Sequence, residues 1–431
     1  MSLSRVVSCL LTVAACSEAR GMVDAGIEIA PPRPDSCTTV APGGSIQAAL
    51  DDTATTAVCL SPGEYRGPLK IRRTVTLWGP REAMLRSGPG VIIDVTAPGT
   101  AVLGLTIDGT NGRFDFLDGA IRIAADDTRV EGVSVINAMF GILVERSRRV
   151  RVAGNHVAGN RDAATSMRGD TIRVWETRDS VIEHNTIEDG RDLVIWYSRD
   201  NRVEGNRILR ARYGLHFMYS SGNVVRGNTL RDGVVGVFVM YSRNLHIEDN
   251  LIANAAGAAG MAIGLKDAGN IYVRHNQLIH NTIGVYIDSA PMQIGDRVEI
   301  SDNTMRFGDT GLVFHSSAHD LAVSGNDFAD NTTQVRVDGG GDATRATWSD
   351  NYFDDYAGYD LDDDGVGDVP YELRSLSNEL IARSPNLALF RGTPALAIVD
   401  AATHLDPLYQ PAAVMSDHTP RMASHPPGSR R

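Results

Sequence analysis

The sequence predicts an all-β fold, a right-handed parallel β-helix with an N-terminal capping helix. Three observations predict it. An asparagine recurs at intervals of 21 to 27 residues, short hydrophobic strand patterns recur with it, and 43 of the 431 residues are glycine. A repeat of this size without helix-forming runs is typical of a β-solenoid, in which each repeat forms one coil. Frequent turn residues suit many short strands and would interrupt long helices.

The recurring asparagine predicts a ladder along the solenoid axis. The positions are Asn185, Asn206, Asn228, Asn250, Asn276, Asn303, Asn326 and Asn351. Each is expected at a turn, where its amide stacks on the amide of the next coil and hydrogen-bonds along the axis. We therefore interpret these asparagines as structural residues.

A second landmark sets the strand register. The segments Gly214–Ser220 (GLHFMYS) and Gly236–Ser242 (GVFVMYS) follow one plan, and alternate side chains of a strand face opposite ways. One parity predicts inward columns about 4.8 Å apart, which would form the core. These core positions are Leu193, Leu215, Val237, Val285, Leu312, Ile195, Phe217, Val239, Ile287 and Phe314.

The opposite parity predicts an outward stripe that is not an ordinary solvated face. We expect a partner-docking surface made of Trp175, Trp196, His216, Met218, Phe238 and Met240. Farther along, the same column becomes polar at Lys266, Asp288 and His315. Exposed apolar patches rimmed by polar groups mark docking sites. The alternative is that a loop, such as residues 155–169, covers the stripe.

Two sets of side chains could hold metal ions. His216, Met218 and Met240 offer an imidazole and two thioethers on one face, which suits copper, although a plain apolar docking patch would contain the same residues. Asp360, Asp362, Asp364 and Asp368 form a D-x-D-x-D-G pattern that suits Ca²⁺. Tyr371 stands where a calcium-binding Glu belongs, so a plain acidic turn is the alternative.

The N-terminal region reads as an export signal. Residues 1–16 predict a signal peptide ending in a lipobox, with Cys16 as the lipidation site, or alternatively an ordinary cleaved signal peptide. Residues 17–36 would form a flexible tether. In an oxidising compartment, Cys37 and Cys59 predict a disulfide. The expected location is therefore periplasmic or otherwise extracytoplasmic, with a lipid anchor.

The remaining boundaries follow the repeat. We expect an N-terminal cap and irregular first coils over residues 37–154, with Ser45–Thr53 as the capping helix. Regular coils are expected over residues 155–351, a C-terminal segment with the aspartate-rich loop over 352–411, and a disordered tail over 412–431.

Charge and motifs exclude several functions. The formal net charge of −12 argues against nucleic acid, whose phosphates require a basic surface. No apolar run reaches the length of a membrane span. The Asp-Pro-His-Asp motif of alginate epimerases and the Gly-His-Gly and Arg-Ile-Lys motifs of polygalacturonases are missing. The sequence therefore predicts no catalytic residues, and a glycoside hydrolase or polysaccharide lyase remains the second interpretation.

An ordered set of segments resembles NosD, the periplasmic maturation protein of nitrous oxide reductase. The matching segments are Arg168–Glu176 (RGDTIRVWE), Gly190–Tyr197 (GRDLVIWY), Arg212–Ser220 (RYGLHFMYS), Val235–Ser242 (VGVFVMYS), Asn331–Val337 (NTTQVRV) and Asn351–Tyr371 (NYFDDYAGYDLDDDGVGDVPY). The resemblance implies a pectin-lyase-like solenoid of the carbohydrate-binding and sugar-hydrolase repeat class that is not known for hydrolysis. A predicted lipid anchor departs from the reference members.

The resemblance also implies partners. NosD-like proteins act with an ABC-type permease and its ATPase, a copper chaperone and a copper-enzyme client. By resemblance, the His-x-Met element would be His216 and Met218, with copper as a transient ligand. The leading hypothesis is a non-catalytic accessory protein in copper-site assembly. A carbohydrate-binding or polysaccharide-degrading β-helix, with Trp175 and Trp196 stacking on sugars, and a passive structural solenoid are the alternatives.

Overall fold

A computed structural model of the chain describes residues 30–317, 319–390, 393–403 and 410–425. The predicted signal peptide, Cys16 and most of the predicted tether lie outside the described residues. The described part is a right-handed parallel β-helix whose coils each contribute one strand to each of three sheets. The predicted fold class is therefore confirmed.

Sheets A and B consist of short parallel strands. Sheet A contains Thr38–Val40, Ala57–Leu60, Thr76–Trp78, Ala101–Leu103, Arg129–Glu131, Arg151–Ala153, Val181–Glu183, Arg202–Glu204, Val224–Arg226, Arg243–Glu248, Gly269–Arg274, Val298–Ser301, Leu321–Ser324 and Thr347–Ser349. Sheet B contains Gly63–Arg66, Ala83–Arg86, Thr106–Asp108, Ser134–Ile136, His156–Ala158, Thr186–Glu188, Arg207–Leu209, Thr229–Arg231, Leu251–Ala253, Gln277–Ile279, Thr304–Arg306, Asp327–Ala329 and Tyr352–Phe353.

Sheet C carries strands of four to six residues from Gly119 onwards. It contains Leu69–Ile71, Ile93–Val95, Gly119–Ile123, Phe140–Glu145, Ile172–Trp175, Asp192–Trp196, Tyr213–Met218, Val235–Met240, Met261–Lys266, Ile283–Asp288, Thr310–His315 and Thr333–Asp338. Corresponding positions pair from coil to coil, so residues of the same register form straight columns. A column on sheet C therefore samples one position of every coil.

The core is a stack of aliphatic and phenyl side chains inside the solenoid. Every position predicted from strand parity to face inward is fully buried, including Phe217 and Phe314. Strand alternation puts the same parity inside in each coil, which confirms the predicted register. Burial of these columns is the main source of stability for the fold.

The predicted asparagine ladder is present and buried. In its middle, the Asn228 side-chain amide donates to Val203 O at 2.9 Å and to Asn250 Oδ1 at 3.0 Å. The Asn228 carbonyl oxygen accepts from the backbone N–H and side-chain amide of Asn206 at 2.9 and 3.0 Å. The same arrangement repeats from Asn155 to Asn351. The ladder satisfies backbone groups that the turns would otherwise leave unpaired.

The N-terminal end of the solenoid is closed by the predicted helix. Ser45 caps the helix Ile46–Asp51 by accepting from the Ala48 N–H at 3.1 Å. Ile46 and Leu50 are buried against the first coils. The structure joins Cys37 to Cys59 by a disulfide next to this cap.

The C-terminal end departs from the sequence prediction. Residues 413–417 were expected in a disordered tail, but Ala413–Asp417 forms a strand antiparallel to Tyr371–Arg374. The Asp417 carboxylate accepts from the Asn351 side-chain amide at 2.8 Å and so ends the asparagine ladder. The Asn351 side-chain amide has no further asparagine to donate to among the described residues, and Asp417 provides its acceptor in this strand.

Helical segments lie outside the coils. The short helices Thr165–Met167 and Ala343–Arg345 occur in connections between strands. Leu376–Arg383, Pro385–Phe390 and Pro394–Thr403 lie between the two antiparallel C-terminal strands. None of the helices in the described ranges has both the length and the apolar character needed to cross a membrane.

Candidate functional site on sheet C

The predicted docking residues lie together on the outer face of sheet C. Register pairing aligns Trp175, Trp196, Met218 and Met240 in one column across four successive coils. All four side chains are partly exposed. His216 and Phe238 pair in the adjacent column. We call these six residues the sheet C stripe.

The indole rings of the stripe are packed against each other and against a guanidinium. Trp175 and Trp196 meet edge to face, with ring centroids 5.8 Å apart. The guanidinium carbon of Arg173 lies 4.9 Å from the Trp175 ring centroid and 5.1 Å from that of Trp196. Such cation–π contacts fix the rings in place. The two indoles therefore present a rigid surface in which much of each ring face is already in contact.

The prediction that His216 forms part of an exposed face was wrong. Its side chain points away from the solenoid core, yet the residue is only 4% exposed. Three rings cover the imidazole, with centroids 4.9 Å away for Tyr213, 5.9 Å for Trp196 and 6.1 Å for Phe238. Their bulk on neighbouring positions of a pleated surface closes over the smaller ring.

Several buried polar atoms of this face have no hydrogen-bond partner among the described residues. They are Nε1 of Trp196, Nδ1 and Nε2 of His216, and Oδ2 of Asp170. Buried polar groups in folded proteins are nearly always paired, so each such atom calls for an explanation. Four such atoms lie within adjacent coils of this face.

Two carboxylates lie at the edge of the same face in different electrostatic environments. Asp170 is fully buried, and burial raises the pKa of its carboxyl although Arg191 donates to it at 2.8 Å. Burial would also raise the pKa of Asp192, but contacts with His216 and Arg212 outweigh it and hold that pKa below its usual value. Asp192 is therefore the ionised neighbour of His216.

Three tyrosines that the sequence analysis did not single out extend the stripe. Tyr197, Tyr219 and Tyr241 follow the strands of three successive coils and are 50%, 48% and 38% exposed. Their rings stack with centroids 5.2 and 5.0 Å apart. The signal was the Tyr-Ser pair that ends each of these strands in the sequence.

The backbone explains why these tyrosines reach the surface. Tyr197, Tyr219 and Tyr241 have φ angles of 51°, 51° and 49°, in the left-handed region that non-glycine residues seldom occupy. This conformation turns the chain at the end of each sheet C strand and directs the ring along the edge of the sheet. Strand alternation alone therefore does not predict their position.

The stripe ends in charged residues, as the sequence suggested. In the column of Met240, the next positions are Lys266, Asp288 and His315. The Lys266 ammonium lies 2.6 Å from the Asp288 carboxylate. The apolar part of the face therefore has a defined limit at Met240.

The loop that could have covered the stripe leaves it open. In residues 159–169, the Arg168 guanidinium donates to the carbonyl oxygens of Ala163 and Arg161 at 2.9 and 2.8 Å, so the loop is held mainly by its own backbone. Met167 is 65% exposed. Trp175, Trp196, Met218 and Met240 keep partial exposure, so this loop does not bury them completely.

The aspartate loop brings together three of its four predicted ligands. Carboxylate oxygens of Asp360, Asp362 and Asp364 lie within 4.8 Å of one another, and repulsion by Asp364 raises the pKa of Asp362. Asp368 instead accepts from the Leu361 N–H at 2.6 Å and is not part of that cluster. The calcium interpretation stays a prediction for these three residues.

Comparison with known proteins identifies a family and individual proteins that this chain resembles. The profile of the family described as periplasmic copper-binding protein (NosD) matches residues 153–358. A probable ABC transporter binding protein NosD from Pseudomonas aeruginosa is 27% identical over 397 residues, covering 83% of this chain and 86% of that protein. This chain is NosD-like. The protein of the same description from Stutzerimonas stutzeri is 25% identical over 395 residues, covering 83% and 85%.

The NosD match contains the whole sheet C stripe, from Trp175 to Met240, and stops two residues before Asp360. Among solved structures, the catalytic unit of a GH87 α-1,3-glucanase from Streptomyces thermodiastaticus is similar with a TM-score of 0.54 and 16% identity. It covers 72% of this chain and 69% of that one. At this identity the likeness concerns the fold alone.

Proposed function

We propose that this NosD-like protein is a non-catalytic, extracytoplasmic accessory protein in copper-site assembly. Its partners would be an ABC-type permease with its ATPase, a copper chaperone and a copper-enzyme client such as nitrous oxide reductase. The observation that carries the proposal is the sheet C stripe, a register-aligned, partly exposed apolar column that lies wholly inside the NosD match. The matching family is described as a periplasmic copper-binding protein and the relatives as ABC transporter binding proteins, which supports the choice of partners.

The ring geometry favours a protein partner over a sugar. Sugars stack on the open face of an aromatic ring, whereas the tyrosine rings of Tyr197, Tyr219 and Tyr241 already stack face to face on each other. Arg173 and the edge-to-face contact occupy much of the tryptophan faces. The thioether side chains of Met218 and Met240 are also partly exposed. Aromatic and methionine side chains of this kind are enriched in protein interfaces.

The charged groups of the face also favour a role other than catalysis. Paired carboxylates can act as general acid and base only if both reach the substrate. Asp170 and Asp192 are 0% and 1% exposed, and both are bound by arginines. We therefore assign these carboxylates to the support of the surface rather than to hydrolysis.

The donor atoms on this face suit copper as cargo. Met218 and Met240 pair across adjacent strands, so their side chains leave the sheet about 4.8 Å apart. His216, two residues before Met218, has ring nitrogens without hydrogen-bond partners among the described residues. Thioether and imidazole ligands suit Cu(I). These residues would hold the ion during transfer while partners occupy the surrounding stripe.

The proposed location is extracytoplasmic. The matching family is described as periplasmic, and the Cys37–Cys59 disulfide fits an oxidising compartment. A lipid on Cys16 would hold the protein at a membrane, and this part of the proposal rests on the sequence alone.

The decisive experiment places a photo-crosslinking amino acid at position 218 in cells and identifies captured proteins by mass spectrometry. The control is the same amino acid at Val224, an outward position on sheet A of the same coil. We expect position 218 to capture a membrane permease, a copper chaperone or a copper enzyme, and position 224 to capture none of them. Equal capture at both positions, or capture of glycan, would refute the proposal.

A matched pair of substitutions tests the same surface. Met218→Asp should abolish capture by a crosslinker at Met240 without unfolding the chain, because the Met218 side chain points away from the core. Val224→Asp introduces the same charge on the other face and should leave capture unchanged. Loss of capture in both variants, with thermal unfolding unchanged, would contradict a docking role that is specific to sheet C.

We also propose that Asp360, Asp362 and Asp364 bind a structural Ca²⁺. A cation would relieve the repulsion between carboxylates that lie within 4.8 Å of one another. Adding Ca²⁺ should raise the melting temperature of the wild-type protein by mass action and should not raise that of Asp362→Asn to the same extent. An equal rise in both proteins would exclude this loop as the binding site.

A further inference from the structure

The imidazole of His216 is buried, and its hydrogen-bonding capacity is unused within the described part of the chain. It lies between the edge of Trp196 and the ring of Phe238, and neither ring nitrogen has a hydrogen-bond partner among the described residues. One charged group faces it directly. The Asp192 Oδ2 atom lies 3.6 Å from His216 Nδ1, slightly beyond hydrogen-bond distance.

Asp192 is itself held in place. Its Oδ1 atom accepts from Arg212 Nε at 3.0 Å and from the Tyr213 N–H at 3.2 Å, and its Oδ2 atom accepts from Arg212 Nη2. The Arg212 guanidinium carbon lies 4.3 Å from the Tyr213 ring centroid, which fixes the guanidinium in turn. A carboxylate that is 1% exposed and bound in this way has little freedom to turn from the imidazole.

The Asp192 carboxylate accepts from the Arg212 guanidinium with both oxygens and so faces His216 as a hydrogen-bond acceptor, which means that the ring nitrogen facing it carries the proton. In a neutral imidazole the other nitrogen then keeps its lone pair. We propose that Asp192 is a positioning residue that holds His216 as the Nδ1–H tautomer and leaves Nε2 as the ligand atom. The tautomer follows from the Asp192–His216 geometry alone, whereas its use for copper rests on the proposed function.

The arrangement matches what metal-binding histidines require. A histidine ligand commonly donates its second N–H to a carboxylate, which fixes the tautomer and ring orientation and makes the ligand nitrogen more basic. Here the chain supplies the carboxylate from the coil before His216, at the start of strand Asp192–Trp196. Asp192 would therefore act through His216 and would not touch the cargo.

The first test needs no copper and reads the tautomer in the wild-type protein. Nitrogen-15 NMR of the metal-free protein labelled with 15N-histidine distinguishes the two neutral tautomers and the charged ring. The His216 signals are assigned among the 11 histidines by their loss in His216→Gln. We expect the spectrum of the Nδ1–H tautomer for His216. The spectrum of the Nε2–H tautomer would overturn the positioning role.

The second test measures what the tautomer does. Ag(I), a redox-stable substitute for Cu(I), is titrated into wild type, His216→Ala, Asp192→Asn and Asp189→Asn. Asp189 is the matched control, because it is a buried carboxylate that is bound by Arg210 in the same way as Asp192 is bound by Arg212. We expect loss of affinity in His216→Ala, roughly ten- to a hundredfold weaker binding in Asp192→Asn, and unchanged binding in Asp189→Asn.

The outcomes separate the two proposals. Unchanged binding in His216→Ala would refute this histidine as a copper ligand, while the NMR result on the metal-free protein would still decide the role of Asp192. Loss in His216→Ala together with unchanged binding in Asp192→Asn would overturn the positioning role and leave the copper proposal standing.

Discussion

The outer faces of sheets A and C belong to the same coils and differ in chemistry where the sheet C stripe lies. On sheet A, Arg151 contacts Glu131 and Glu183 on either side, at 2.5 and 2.8 Å. Arg202 likewise contacts Glu204 at 2.6 Å. On sheet C, the corresponding outward positions in the middle coils hold tryptophan, methionine and phenylalanine.

The comparison shows that the repeat determines the fold of both faces, while the outward side chains determine the chemistry of each surface. Both faces rest on the same buried columns and the same asparagine ladder, so their strands are equally well supported. The arginines and glutamates of sheet A satisfy each other and leave little to bind a partner. The sheet C stripe leaves apolar area half-exposed and polar atoms unpaired, which favours association.

The largest expected effect tests whether the stripe has an energetic centre. Trp196→Ala should reduce capture by a crosslinker at Met240 by at least about thirtyfold, because a central tryptophan in an interface contributes about 2 kcal/mol or more. The control is Tyr272→Ala on sheet A, where the aromatic ring stacks on His246 at 4.7 Å. Capture yield is measured by quantitative mass spectrometry. Equal losses in both variants would remove the distinction between the two faces.

Much of this contrast could be predicted from the sequence. The asparagine period gave the coil length, and strand parity placed Phe217 and Phe314 inside and Met218 and Met240 outside, as the structure shows. These features depend on residues close in sequence and on a fixed repeat. Local patterns of that kind determine which way each side chain leaves the solenoid.

The remaining features depend on contacts that a period does not encode. His216 is buried because Tyr213 on its own strand and Phe238 on the next coil close over it, which depends on side-chain volumes across coils. The positions of the Tyr197, Tyr219 and Tyr241 rings depend on the left-handed backbone at these residues. The strand Ala413–Asp417 pairs with residues about 40 positions earlier, and no repeat in the sequence predicts this pairing.

A second prediction concerns the support that the two faces share. Asn228→Ala removes a side-chain amide that is buried in the ladder, so the Asn206 backbone N–H loses its acceptor and Val203 O loses its side-chain donor. We expect a loss of about 2 to 4 kcal/mol in the free energy of unfolding, since each unsatisfied buried group costs about 1 to 3 kcal/mol. Urea unfolding measures it.

Asn228→Ala also tests whether the ladder supports sheets A and C equally. Because the ladder lies inside the coil, Asn228→Ala should weaken the fold beneath both faces while leaving the outward residues unchanged. Capture at Met218 from the folded fraction should therefore persist. Selective loss of capture without a change in unfolding free energy would mean that the ladder tunes the stripe directly.

The smallest expected effect concerns sheet A. Glu248 contacts Arg226 and, at 3.1 Å, His246. Burial would raise the pKa of Glu248, but those contacts outweigh it and lower that pKa. The Arg226 side chain is 54% exposed, so screening by solvent limits the pair. Glu248→Gln should therefore cost no more than about 1 kcal/mol of unfolding free energy and should leave capture at Met218 unchanged.

The pH dependence of that small cost identifies its origin. A carboxyl with a lowered pKa in the folded state stabilises the protein above its unfolded pKa, and this stability is lost as pH falls through the folded value. The difference between wild type and Glu248→Gln should thus be present at neutral pH and shrink below about pH 4, near the ordinary glutamate value. Added salt should shrink it as well. A difference that persists in acid and high salt would show that Glu248 contributes packing rather than charge, and the contrast between a charged face and an apolar face would then need another basis.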